Sequence, residues 1–141
     1  MTSATTIRER AALALGVPLL RFLGASLVDD ANPGAGVSVP TGIDLLNAAQ
    51  GLHAGAISTL LEVAAYLAIL PELADDEEAT THAMFVTYIA RAEADAPLAA
   101  KGRLVRRGRR VAFSAAELHQ ADRLLASAQI TKSIYVNVDR R

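Results

Sequence analysis

Between Leu52 and Leu70 the chain runs through nineteen residues of which only His53, Glu62 and Tyr66 carry an ionisable side chain. Ala54, Ile57, Leu60, Leu61, Val63, Ala64, Ala65, Leu67, Ala68 and Ile69 cover every face of a 3.6-residue helix. The pattern predicts a helix over about 52–70, broken by Pro71 and buried all round. A carboxylate buried without a partner is costly, so such a group finds a hydrogen-bond donor or gives up its charge. Glu62 is therefore a candidate for chemistry.

The rest of the chain is read around that helix. A helix is expected over about 6–15, opened by a Thr6/Glu9 capping-box spacing and stopped by Gly16. A strand near 22–29, a turn at 31–34 and a strand at 36–40 ending on Pro40 follow, then a loop over 41–51. The acidic run Glu72, Asp75, Asp76, Glu77 and Glu78 reads as a solvated loop, because like charges in a row repel. Strands are expected at about 81–91, 98–106 and 109–119, the last two joined by a tight turn at Arg107-Gly108. In the final strand, about 123–136, Leu124, Ala126, Ala128, Ile130 and Ile134 alternate with Leu125, Ser127, Gln129, Thr131 and Ser133, so one face is buried. One long apolar helix followed by consecutive antiparallel strands argues for an α+β fold, with a sheet wrapped around a central helix.

Composition narrows the function. A chain of 141 residues that is 52% hydrophobic suits one domain, expected over 1–141. The formal charge of −1 offers no general attraction to nucleic acid or to anionic membranes. Without cysteine there is no disulfide framework, thiolate nucleophile or cysteine zinc site, which agrees with a cytoplasmic protein. Arg8 and Arg10 before AALALGVPLL imitate a secretory signal, but Glu9, Pro18 and Arg21 interrupt the pattern. Glu62 and Pro71 likewise argue against a membrane span. His82 and His119 lack matching acids, so no metal is expected.

The order Asn47, His53, Ala54, Gly55 and Glu62 resembles the signature of PaaI-type hotdog-fold acyl-CoA thioesterases: an asparagine, a histidine six residues on, small residues, and an acid on the same helix. The resemblance extends over most of the chain. The strand-like LGASLVDD and VSVP precede the motif, VTYIARA follows it, and GRLVRRGRRVAFSAAEL and LLASAQITKSIY close the chain. It implies the hotdog fold, hydrolysis of an acyl- or aryl-acyl-CoA thioester with no cofactor, and a homo-oligomer, either a dimer or a tetramer built from dimers.

The chemistry needs an oxyanion holder and an activated attacker. Backbone N–H groups of Ala54 and Gly55 at a helix N-terminus suit the first task, since unpaired donors and the positive dipole end converge there. The family usually has glycine at both positions, so the Ala54 methyl implies a narrower pocket. Glu62 lies eight residues further, roughly 12 Å along the axis, too far to reach the same carbonyl within one subunit. The resemblance implies that a second subunit brings its acid across the interface, as general base or as nucleophile. It also implies that Asn47 orients water or the thioester oxygen, and that Thr81, or Thr80 in its place, lies near the acid. The alternatives are a turn asparagine and a surface threonine. His53 is read as a backbone partner of the loop or as a direct participant. Arg106, Arg107 and Arg109, with Lys101, Arg103 and Arg110, suit coenzyme A phosphates, or form a charged hairpin that blunts a sheet edge. Two rivals use the same fold: a non-catalytic acyl-CoA sensor or carrier, and an enoyl-CoA hydratase, for whose usual Asp and His pair His53 has only Asp44, which lies before Asn47.

Overall fold

The computed structural model describes residues 2–93 and 96–140. The chain forms α1 (Ala4–Leu15), α2 (Pro18–Leu23), β1 (Ser26–Leu27), β2 (Val37–Val39), α3 (Ala54–Ile69), β3 (Glu77–Tyr88), β4 (Leu98–Arg107), β5 (Val111–Gln120) and β6 (Arg123–Val136). Six strands make one antiparallel sheet in the order β1-β2-β4-β5-β6-β3. α3 lies against β2, β3, β4, β5 and β6, which is the hotdog arrangement. Ile57, Leu60, Leu61, Ala64, Leu67 and Ile69 from the helix pack on Leu98, Ala100, Leu118, Ala126 and Ile130 from the sheet. The helix and sheet approach closely at Gly102 on β4. A Cβ there would lie 2.2 Å from the Ala64 carbonyl oxygen, so only glycine allows the approach.

Several expectations need correcting. The first helix is capped by Ser3, whose side chain accepts from the Thr6 N–H, not by a Thr6/Glu9 box. The strand expected over 22–29 is instead helix α2 followed by the two-residue β1. Pro18 sits at the start of α2 and Gly24 closes it in the left-handed region (φ 72°), the pairing that favours a short helix over an apolar strand. The turn expected at 31–34 is a 3-10 turn at Pro33–Ala35. The acidic run is a loop only in part, because Glu77 and Glu78 open β3. Each has a cationic partner, Arg107 for Glu77 and Arg10 for Glu78, which removes the repulsion that argued for a loop.

The buried alternation of β6 continues through position 132, so a lysine occupies a core position between Ile130 and Ile134. A bulge in β3 completes the local geometry. Met84 stands opposite Ile130, but Thr81, not His82, stands opposite Lys132, because the register shifts between Thr81 and Ala83. The extra residue changes which side chains face inward and turns Thr81 toward the helix.

Candidate active site

The loop before α3 is organised by Asn47. Its Oδ1 accepts from the N–H groups of Ala49 (2.9 Å) and Gly51 (3.0 Å), and its own N–H donates to the Gly51 carbonyl (2.7 Å). The bridge between Leu46 and Leu52 closes the loop at its base, and Arg91 donates to the Ala49 carbonyl at 2.9 Å. A cleft of about 360 Å³ opens beside it, lined among others by Asn47, Leu52, Ile57, Tyr88 and Arg91. Asn47 thus makes the turn contacts of an ordinary loop asparagine and also faces a cleft.

His53 is the N-cap of α3. Its Nδ1 accepts from the Gly55 N–H at 2.9 Å, which satisfies one of the unpaired donors at the helix start. His53, Ala54 and Gly55 are all exposed. Of the two N–H groups considered for the oxyanion, that of Gly55 is engaged by the ring. The Ala54 N–H is the first of the helix and has no acceptor within it.

The expectation of a carboxylate buried on all sides needs correction, whereas the hydrogen-bond partners expected of such a group are present. The Glu62 side chain is 38% exposed, and it has two partners. Oε1 accepts from the Thr81 hydroxyl at 2.6 Å and from the Lys132 ammonium, which also donates to Thr81 Oγ1 at 2.9 Å. The Lys132 side chain is only 1% exposed. Its Nζ lies 5.5 Å from the centroid of the Tyr66 ring, one helical turn beyond Glu62, within cation–π range. The Tyr66 hydroxyl donates to Glu78 Oε1 at 2.7 Å, and the buried Arg10 guanidinium bonds the same oxygen and the Glu77 carbonyl. Burial and then Glu78 push the Tyr66 phenol up to about 12, so its ring is neutral under ordinary conditions.

Of the two threonines considered, Thr81 is the one that meets Glu62, and Lys132 joins them without having been singled out in the sequence. The signal was present. Position 132 has the same parity as Ala126, Ala128, Ile130 and Ile134, and a lysine on that buried face asks for an acid.

The basic hairpin divides. Arg107 forms an ion pair with Glu77 and donates to the carbonyls of Glu72 (3.1 Å) and Gly108 (2.7 Å), whereas Arg106 and Arg109 are exposed. A second cleft, about 470 Å³, is on the outer sheet face among Phe85, Lys101, Arg103, Glu117, His119 and Gln129; of the basic residues considered for coenzyme A phosphates it includes Lys101 and Arg103, and it is apart from Glu62 and the start of α3. Among the described residues no group of three or more His, Cys, Asp or Glu side chains is placed to hold a metal.

Residues 45–133 match the family model of the acyl-CoA thioesterase N-terminal domain. Among solved structures, a thioesterase family protein from Silicibacter pomeroyi superposes with a TM-score of 0.78 at 20% identity, covering 95% of this chain and 99% of that one. A phenylacetic acid degradation-related protein from Ralstonia eutropha gives a TM-score of 0.73 at 24% identity over 87% and 97%. The BH2602 protein from Bacillus halodurans, solved with CoA, gives 0.76 at 17% identity over 94% and 88%. No curated protein matches the sequence at a significant level.

Proposed function

The chain belongs to the family of the acyl-CoA thioesterase N-terminal domain, and from that membership we propose that it hydrolyses acyl-CoA thioesters at a site built on α3 from two subunits. The observation that carries this reading is the state of Glu62. It is the one acid on α3, it reaches solvent, and one of its oxygens is tied to Thr81 and Lys132 while Oε2 has no partner among the described residues. The relative solved with CoA gives the same fold a matching ligand class.

In this reading the thioester carbonyl lies against the Ala54 N–H of one subunit, at the positive end of the helix dipole. Asn47 and the adjacent cleft hold the acyl-CoA beside it. Glu62 of the other subunit takes a proton from water through Oε2, and the resulting hydroxide adds to the carbonyl carbon. The oxyanion forms on the Ala54 N–H. It then collapses, the C–S bond breaks, and the proton held on Glu62 passes to the departing coenzyme A sulfur, so that free thiol and a carboxylic acid leave and the carboxylate is regenerated. The same carboxylate attacking directly gives a mixed anhydride that water then cleaves.

A dimer is supported by the position of β3. It is a sheet edge twelve residues long, paired to β6 on one side only, and Phe85, Tyr88 and the adjoining Ile89 are exposed. An edge of that length is a template for a second strand. Two copies pairing antiparallel about a two-fold axis set two α3 helices side by side, each start near the other's middle.

One observation favours the non-catalytic alternative, an acyl-CoA sensor or carrier: Lys132 offsets the charge of Glu62. A panel of short, long and aromatic acyl-CoA thioesters, with free thiol followed over time, separates the two. Turnover that falls by ~10²–10⁴ in Glu62→Gln with unchanged KM is the expected result. Binding without turnover across the panel would leave the carrier reading standing and this one overturned.

A further inference from the structure

We infer that Lys132 is a positioning residue that locks Glu62 in one orientation, with Oε1 bound to the sheet and Oε2 presented to the reacting thioester. The inference rests on the reading of Glu62 as base or nucleophile, and it adds a residue that lies outside the motif carrying that reading.

The fold does not need this lysine. Its neighbours on the inner face of β6 are Ile130 and Ile134, and a leucine or methionine at 132 would continue the same packing. A fully buried ammonium is costly to desolvate, and hydrophobic replacements of buried ion pairs are often neutral or stabilising. What the lysine contributes is direction. Its contacts are Glu62 Oε1, Thr81 Oγ1 and the face of Tyr66, which matches the three donors of an ammonium. Thr81 donates its own proton to the same Oε1, so two donors converge on one oxygen and none on the other. A glutamate has three rotatable bonds, and without such a clamp a half-exposed one samples many of them. The clamp is itself held. Tyr66 is fixed by Glu78, and Glu78 by Arg10 from α1, so the ring that seats Nζ cannot turn freely. The β3 bulge serves the same end by directing Thr81 inward.

Four proteins test this on the acyl-CoA that wild type hydrolyses fastest: wild type, Glu62→Gln, Lys132→Met and the double variant. Lys132→Met is expected to keep or raise Tm and to lower kcat about 10- to 100-fold with KM within twofold, the scale of a reacting group misplaced by about an ångström. In the Glu62→Gln background the same substitution is expected to change kcat no further, since there is no carboxylate left to orient. Wild-type kcat in Lys132→Met, with Glu62→Gln impaired, overturns the inference and leaves the proposed hydrolysis intact. Equal losses in both backgrounds also overturn it, because a purely structural lysine acts regardless of Glu62. Full turnover in Glu62→Gln removes the base assignment and this inference with it. Should Lys132→Met fail to fold, Lys132→Gln carries the same comparison.

Discussion

The first turn of α3 and its midpoint are about two helical turns apart, and they are built by opposite means. The start is exposed and relies on backbone: a loop closed by Asn47, an N-cap from His53, and the N–H of Ala54. These three parts lie within nine residues of sequence, 47–55, with Arg91 bracing the loop at the Ala49 carbonyl. The midpoint relies on side chains brought from far away, Thr81 from β3 and Lys132 from β6, nineteen and seventy residues from Glu62. Helix termini supply donors by construction, whereas a carboxylate in mid-helix has no backbone partner and must take its support from tertiary structure. The helix start can therefore be assembled locally. The midpoint exists only once the sheet has closed around the helix.

The strongest way to break this comparison is to separate the two halves genetically. Asn47→Ala and Glu62→Ala homodimers are each expected to lose ~10²–10⁴ of turnover if one thioester needs both ends of α3 from different chains. Unfolded together and refolded, they should recover activity, because a mixed dimer has one site with both defects and one with neither. Random pairing predicts about one quarter of wild-type activity. Mixed dimers confirmed by mass spectrometry but silent in the thiol assay would show that one chain holds the whole site.

The same contrast explains what could be read without coordinates. The motif from Asn47 to Glu62 and the hotdog topology were legible, because helix and strand periodicities are local and the long β3–β6 elements follow them. Lys132 was not identified, since an alternation read as apolar against polar skips the one charged residue on the inner face. The β3 bulge was equally invisible: nothing in Thr80-Thr81-His82-Ala83 announces a change of register, which is set by pairing with β6. α2 was missed for a different reason. Its six residues are too few to show a helical period, and only Pro18 and Gly24 mark its ends.

A second test compares how much each region tolerates a single methyl group. At Gly102 the added Cβ would approach the Ala64 carbonyl oxygen to 2.2 Å and Ala65 Cα to 2.9 Å, two and three residues beyond Glu62. Both contacts are with backbone, so the helix must shift. Gly102→Ala is expected to cost about 1–3 kcal/mol and to lower turnover together with Tm. Ala54→Gly, which removes a methyl from the exposed helix start, should cost under about 1 kcal/mol. Equal losses of stability at the two positions would mean that the midpoint is no more tightly enclosed than the start.

The smallest effect concerns the far end of the helix, where Arg107 links β4 to Glu77 and to the Glu72 carbonyl. The hydrogen bond from Arg107, aided by the Ala74 N–H and opposed by partial burial, holds the Glu77 carboxyl below its ordinary value of 4.5. A depressed folded-state value means that the unfolded chain binds the proton more readily. The pair therefore stabilises the fold fully above the ordinary carboxylate range, and the contribution is lost as pH falls through the folded value. Glu77→Gln should lower Tm at neutral pH by the equivalent of about 1 kcal/mol or less. As pH falls from the ordinary carboxylate range through the depressed folded value its Tm curve should converge with that of wild type, and curves that stay parallel would remove Glu77 from the acid response. The same arginine then separates bracing from ligand binding. Arg107→Met should reproduce the stability loss and leave KM unchanged. Removing the exposed Arg106 and Arg109 together should raise KM for acyl-CoA, but not for a thioester lacking the phosphates. A rise in KM from Arg107→Met alone, with Tm unaltered, would instead put Arg107 on the coenzyme and leave the C-terminal end of α3 braced by something else.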